Sequence, residues 1–369
     1  MSSSDEKKTS AKLPPVGSPS AATLAALIPE DPAFRASDAV RPMLRTACAD
    51  HPRATWHELG TSEEGRPIHA AVLGNGPFTV SLIAGNHADE PVGPETLRTL
   101  IGRGLQEGSP LTPWLDRVQF VVVPHANPDG EARNRPWVAD WPSLEAYLQH
   151  VEREPPGRDL EFGFPDMRKE NRLVATFLEQ HSPIALHMSL HGMAVSEGAM
   201  LLINRPWTFR TQPLRDGFRE AARATGLRMH DHNRKGEKGF FYIEPGFTTT
   251  PRGDAMRTFF QAQGDETMAT RFRQSSMEFV MGLGGDPLCL VTELPLFVIY
   301  NHEPTPGVPE RYLALKSQFV EAKQRLAQGQ PIDDLIAPFD MEPLPLPTAM
   351  QLQLHALELG LRTVTGGLG

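Results

Sequence analysis

Apolar residues come in short blocks along the first third of the chain, with turn residues between them. "PIHAAVLG" (67–74) and "FTVSLIAG" (78–85) predict two strands joined through "NGP", a turn signal. Over residues 93–105 the apolar spacing lengthens to three and four, which predicts a helix. "RVQFVVVPHANPDG" (117–130) predicts a third strand running into a loop. Residues 131–165, rich in Pro, Trp, Arg and Gly, predict a long loop region. Helical spacing returns over 167–180, with Leu173, Phe177 and Leu178 on one side. "PIALHMSLHG" (183–192) predicts a short strand ending at a histidine, and "AMLLI" (199–203) another. Residues 214–226 predict a helix closed by Gly226. The polar stretch 228–265 predicts an irregular lid or rim, followed by an amphipathic helix over 267–284 and a buried strand over 288–297. Residues 309–329 predict a surface helix, and the Pro-rich 334–350 an extended tail before a last short helix.

Strands alternating with helices predict an α/β fold, a sheet with helices on both faces. There is no internal repeat. Composition narrows the partners. The net charge of −9 and the pI near 5.8 argue against nucleic acid and against an anionic membrane surface, both of which favour a basic face. Two cysteines far apart in sequence, Cys48 and Cys289, do not make a disulfide scaffold. The polar start lacks an apolar signal core, and no apolar run approaches the roughly 18 residues that span a bilayer, so a soluble cytoplasmic protein is expected.

In such sheets ligands sit at the carboxyl ends of strands. The residues expected there are His87 and Glu90, Asn127 and Asp129, His191, and Glu293. A His and a Glu three apart on a tight turn can aim a ring nitrogen and a carboxylate at one point, and two His with one Glu is a standard ligand set for catalytic zinc. His191 is favoured as the third ligand because it ends a strand next to Gly192. His187 shares its face and is the rival. Glu293, flanked by Val291, Leu294 and Leu296, is expected to have a raised pKa and to serve as a proton carrier.

"GNHADEPVG", "HANPDGEARNR", "SLHG" and "TELPLF", in this order, resemble the zinc carboxypeptidase family, whose superfamily also holds the succinylglutamate desuccinylase and aspartoacylase branch. The resemblance covers roughly residues 60 to 300. It implies a mixed sheet of about eight strands with helices on both faces. It implies one Zn²⁺ per chain held by His87, Glu90 and His191, with Glu293 as general base. It assigns an arginine that steadies the oxyanion, which spacing places at Arg135, with Arg133 as the fallback. Asn127 and Asp129 are expected to brace their turn, although Asp129 could instead orient a ligand histidine. The chain then divides into a disordered tail (1–20), a catalytic domain (21–330) and a Pro-rich extension with a short helix (331–369).

One stretch departs from the family. "GRDLEFGFPD" (157–166) puts Glu161 and Phe162 where the family carries the Asn-Arg pair that grips a substrate's terminal carboxylate. Either Arg158, Arg168 or Arg252 supplies the missing charge, or the substrate end is neutral or cationic. Glu161, Arg133, Arg252 and Tyr242 are the expected substrate-side residues, with Tyr300 a second candidate for a tyrosine that covers substrate. The leading expectation is a zinc-dependent carboxypeptidase-like amide hydrolase acting on a peptide or an N-acylated small molecule. The alternatives are an N-acyl amino acid or amine deacylase, and a non-catalytic binding protein.

Overall fold

The computed structural model describes residues 23–300 and 305–366; the tail expected over 1–20 lies outside them. The strands are β1 (Ala54–Thr61), β2 (Pro67–Leu73), β3 (Phe78–Ala84), β4 (Val118–Val123), β5 (Leu186–Ser196), β6 (Gly198–Ile203), β7 (Arg228–Met229), β8 (Tyr242–Glu244), β9 (Phe247–Thr249), β10 (Leu288–Ile299) and β11 (Met341–Pro343). They form one mixed sheet in the order β1-β2-β4-β3-β5-β10-β6-β9-β8, with β7 on β6 and β11 on β10. Eleven strands exceed the eight expected, but four of them are only two or three residues long. The centre, β4-β3-β5-β10, is parallel, and antiparallel strands flank it.

Parallel strands covered on both faces are apolar almost throughout, and β3 and β4 show why. Leu82, Ala84, Phe120 and Val122 belong to one core, while Ile83, Val121 and Val123 belong to the other. The first core takes the helices Ser37–Asp50, Val92–Gly104, Gln212–Ala224 and Leu346–Thr365. The second takes Lys169–Glu179 and Ser276–Gly282. Among the described residues no helix is long and apolar enough to cross a membrane.

Several expectations are corrected. The loop expected over 131–165 contains two helices, Pro128–Ala139 and Leu144–His150. Asn127 accepts from the Gly130 N–H at 3.0 Å, and Pro128 sits in the first turn, where its missing donor costs nothing. The last helix is not short: Leu346–Thr365 has 20 residues and a largely buried face. Its prolines lie at or before its first turn, so they start it rather than break it. The helix expected over 267–284 splits into Glu266–Ala269 and Ser276–Gly282, the second opened by a Ser275–Glu278 capping box. Finally, β5 does not end at His191 but continues to Ser196 beside β10.

Candidate active site

The site lies where β3 leaves the sheet. Gly85, at φ +74°, turns the chain sharply, and a Cβ there would meet the His125 ring at 2.4 Å, so glycine is required. The turn carries Asn86 to Glu90 and closes with the Glu90 N–H on the His87 carbonyl at 3.2 Å. The pairing of β5 with β3 stops at Leu190. His191, the next residue, enters the space that β3 has vacated. It lies opposite Glu293 of β10 in the parallel register. Gly192 makes no turn. A Cβ there would lie 2.9 Å from the Leu294 carbonyl, and its N–H donates to Glu90 Oε2 at 3.1 Å.

The structure brings His87, Glu90 and His191 together, with their ligand atoms within 4.8 Å of one another. His87 Nδ1 lies 3.1 Å from Glu90 Oε1, and His191 Nδ1 lies 2.8 Å from Glu90 Oε2. The two Nδ1 atoms are 3.0 Å apart. Facing nitrogens at that distance cannot both carry a proton, and two lone pairs repel. Three donors with edges near 3 Å suit one ion bonded at about 2 Å. The outer face of each ring is also held, as imidazole ligands require. His87 Nε2 lies 3.1 Å from Asp159 Oδ1, and His191 Nε2 lies 2.9 Å from Glu161 Oε2. The residues therefore fit zinc.

The electrostatics agree. Burial and Arg153 oppose the charge on His87, but Glu90 and Asp159 hold its pKa up at about 9. Burial opposes charge on His191 as well, yet Glu90 and Glu161 raise its pKa well above the usual imidazole value. Glu90 resists burial in the other direction, and His87, Arg153 and His191 keep its pKa well below the carboxylate range. Without metal, protons supply the positive charge that the site calls for. An incoming cation must displace them. Zinc affinity is expected to rise at least tenfold from pH 6.5 to 8.5, with about one proton released per ion by calorimetry in buffers of different ionisation enthalpy. A flat profile would refute the assignment.

Burial lifts the Glu293 pKa to about 7, and the nearby Glu90 charge adds to the rise. Of its flanking residues, Val291 shares its face of β10 while Leu294 and Leu296 pack in the opposite core, so the apolar setting comes only partly from its sequence neighbours. No hydrogen bond to its carboxylate occurs among the described residues. It opens into a cleft of about 310 Å³ lined by Met193, Met200, Phe240, Tyr312 and Lys316 as well.

The other expected residues lie elsewhere. Arg135 is exposed and pairs with Asp38 at 3.0 Å, because its helix turns that face toward Ser37–Asp50. Arg133 is held by Glu64 and Glu154. Arg252 grips Asp254 and lines a separate hollow of about 540 Å³. The Tyr242 hydroxyl donates to Asp231 at 2.8 Å, away from the cleft, and Tyr300 does not line it. Glu161 is 3% exposed and sits behind His191, not in the substrate space. Asp129 stands in the first turn of the helix Pro128–Ala139 and accepts from Ser62 and the Glu64 N–H, so it braces the turn between β1 and β2 rather than its own, and it bonds no histidine. His187 is buried in the sheet between Ser81 and Ser276.

Three residues were missed. Arg153 donates from Nε to Asp89 at 2.7 Å and from its guanidinium to Glu90 at 2.5 Å, inside the cleft. It stands four residues before the "GRDLEFGFPD" stretch (157–166), and that nearness was its signal. Tyr312 and Lys316 come from the helix Glu310–Ala327. Their spacing of four, with Phe319 three further on, marks one helix face, and nothing local tells which wall that face meets.

The family model for zinc carboxypeptidases matches residues 40–265. Carboxypeptidase B of Astacus astacus is 30% identical over 99 residues, 26% of this chain and 33% of that protein, so the match spans about a third of this curated relative. Among solved structures, the carboxypeptidase A of Helicoverpa armigera superimposes with a TM-score of 0.52 at 13% identity, over 90% of this chain and 74% of that one. At this identity the likeness shows the fold.

Proposed function

The chain belongs to the zinc carboxypeptidase family, and we propose from that premise that it is a zinc-dependent hydrolase of an amide bond, with one ion held by His87, Glu90 and His191. The observation that carries this reading is the convergence of both Nδ1 atoms and the Glu90 carboxylate on one point, with Glu293 across from it. Zinc, when bound, supplies a Lewis acid that polarises a carbonyl and acidifies water. Glu293, with a pKa near neutrality, takes the proton from the attacking water and hands it to the leaving nitrogen. Arg153 is fixed on Asp89 and keeps Nη1 free of partners among the described residues. That group is placed to meet the carbonyl oxygen as negative charge grows on it.

The cleft volume of about 310 Å³ is at the small end for ligand sites and favours short substrates. A deacylase acting on N-acyl amino acids is therefore the second reading; peptide length preference separates the two. The test is a panel of short peptides and N-acyl amino acids, assayed before chelation, after it, and after zinc is restored. Hydrolysis should fall to background on chelation and return with about one zinc per chain. A zinc-loaded protein inert toward the whole panel would leave the non-catalytic binding reading instead.

A further inference from the structure

His187 is sealed inside the sheet, and the chemistry described so far gives it no task. Its ring lies between Ser81 of β3 and Ser276, the first residue of the helix Ser276–Gly282, and none of the three is exposed to solvent. Ser81 Oγ is 2.7 Å from His187 Nδ1, and Ser276 Oγ is 3.2 Å from His187 Nε2. Ser276 Oγ is in turn 2.6 Å from Glu161 Oε1, and Glu161 Oε2 holds His191 Nε2 at 2.9 Å. A single file of hydrogen bonds therefore runs from β3 to one ring of the metal cluster. His187 and His191 both meet this file because residues an even number apart on β5 share a face.

The protons in this file can be placed one by one. An ionised carboxylate only accepts, so Ser276 spends its one hydroxyl proton on Glu161. That charge-assisted bond outcompetes the other acceptor in reach, Met277 Sδ at 3.1 Å. Ser276 Oγ then meets His187 as an acceptor, and His187 Nε2 carries the proton. Burial pushes the His187 pKa down to about 4 despite the Glu161 charge, so the ring is neutral and its Nδ1 is bare. Ser81 donates to that bare nitrogen. Each member thus sets the next: Ser81 selects the tautomer, His187 turns the Ser276 hydroxyl, and the hydroxyl restrains Glu161.

We propose that His187 is a positioning residue for the metal cage: its Nε2–H, selected by Ser81, pins the Ser276 hydroxyl on Glu161 and so keeps Glu161 aimed at His191. The proposal rests on the zinc reading above and carries it inward, to side chains that touch neither ion nor substrate. Without the His187 donor, the Ser276 hydroxyl is free to turn toward Met277 Sδ, and Glu161 Oε1 is left with the Ser276 N–H alone. The carboxylate that orients a ligand ring is then itself loosely held, and metal affinity falls.

The test is two measurements on one set of variants: the His187 tautomer by imidazole nitrogen NMR on the metal-free protein, and zinc affinity by competition with a chelator. Wild-type His187 should be the neutral Nε2–H form at neutral pH. His187→Leu roughly keeps the volume and removes the donor, and zinc affinity should fall about tenfold, the low end for loss of a partner outside the ligands. His187→Gln, whose amide N–H can reach Ser276, should return affinity to within about threefold of wild type, which a purely space-filling role would not require. Ser81→Ala should let the Nδ1–H tautomer appear and lower affinity by less than the leucine variant does. It also keeps the test readable if leucine disturbs the sheet. A proton on Nδ1 in the wild type, wild-type affinity in a folded His187→Leu protein, or equal losses with leucine and glutamine overturns the role while leaving the metal reading in place. A wild-type protein that takes up no zinc overturns both.

Discussion

Replacing Glu293 with glutamine is expected to lower kcat by about 10³-fold, within the range for loss of a general base, while the protein keeps its zinc. Glutamine preserves the shape of the side chain and removes the proton acceptor. Glu293 makes no hydrogen bond to the described residues, so little structure depends on its charge. It is not one of the three clustered donors, so metal content should stay near that of the wild type. The pH profile adds a second readout. The base must be ionised to act, and its pKa without metal is about 7. A dication nearby stabilises the carboxylate and lowers that value. Wild-type kcat/KM should therefore rise with pH through a limb below about 7, and the residual activity of the variant should lack that limb. Activity within tenfold of wild type at full zinc occupancy would remove Glu293 from the mechanism.

The second large effect is expected from Glu161→Ala. This carboxylate is buried and accepts from Asn86 Nδ2 at 2.6 Å, from Ser189 Oγ at 3.1 Å, and from Ser276 through its N–H at 2.9 Å and Oγ at 2.6 Å, besides holding His191. Burial opposes its charge, but His191, Ser276 and Asn86 hold its pKa down at about 2. Truncation leaves these groups unpaired in the interior, which costs about 3–5 kcal/mol and lowers Tm by roughly 10 °C. Zinc affinity should fall about 10- to 100-fold because the His191 ring loses its anchor. Glu161→Gln keeps one oxygen and should recover part of both losses. A folded-state pKa below the ordinary carboxylate value means that Glu161 stabilises the fold above about pH 4.5 and that this contribution fades as pH falls toward 2. Thermal melts between pH 2.5 and 6 would show a shallower acid dependence in the alanine variant. If Glu161 bound substrate instead, Tm and zinc affinity would stay put and only KM would move.

The cluster of His87, Glu90 and His191 was legible because its signal is local. His87 and Glu90 sit three apart on a turn that strand pattern and glycine both mark, and His191 follows an apolar run. A sheet covered on both faces was legible for the same reason, since strands buried on both sides leave a nearly continuous apolar signature in β3 and β4. Roles set by distant segments were not. Arg135 was chosen by linear distance from Asn127, but helix Pro128–Ala139 directs it outward, and the chain returns to the site only with Arg153. That helix was hidden because its prolines read as loop, although Pro128 opens it. Glu161 looked like a substrate residue because its partners, Asn86, Ser189 and Ser276, come from three separate places in the sequence and meet only in the fold. The continuation of β5 past His191 depends on β10 remaining beside it, which no pattern within β5 reveals.

Asp159 and Glu161 stand two residues apart and anchor the outer nitrogens of the two ligand rings. One short strap thus aims both imidazoles: a side-chain change at 159 or 161 releases one ring, and a backbone change reaches both. Lengthening or shifting that strap would loosen both grips at the same moment.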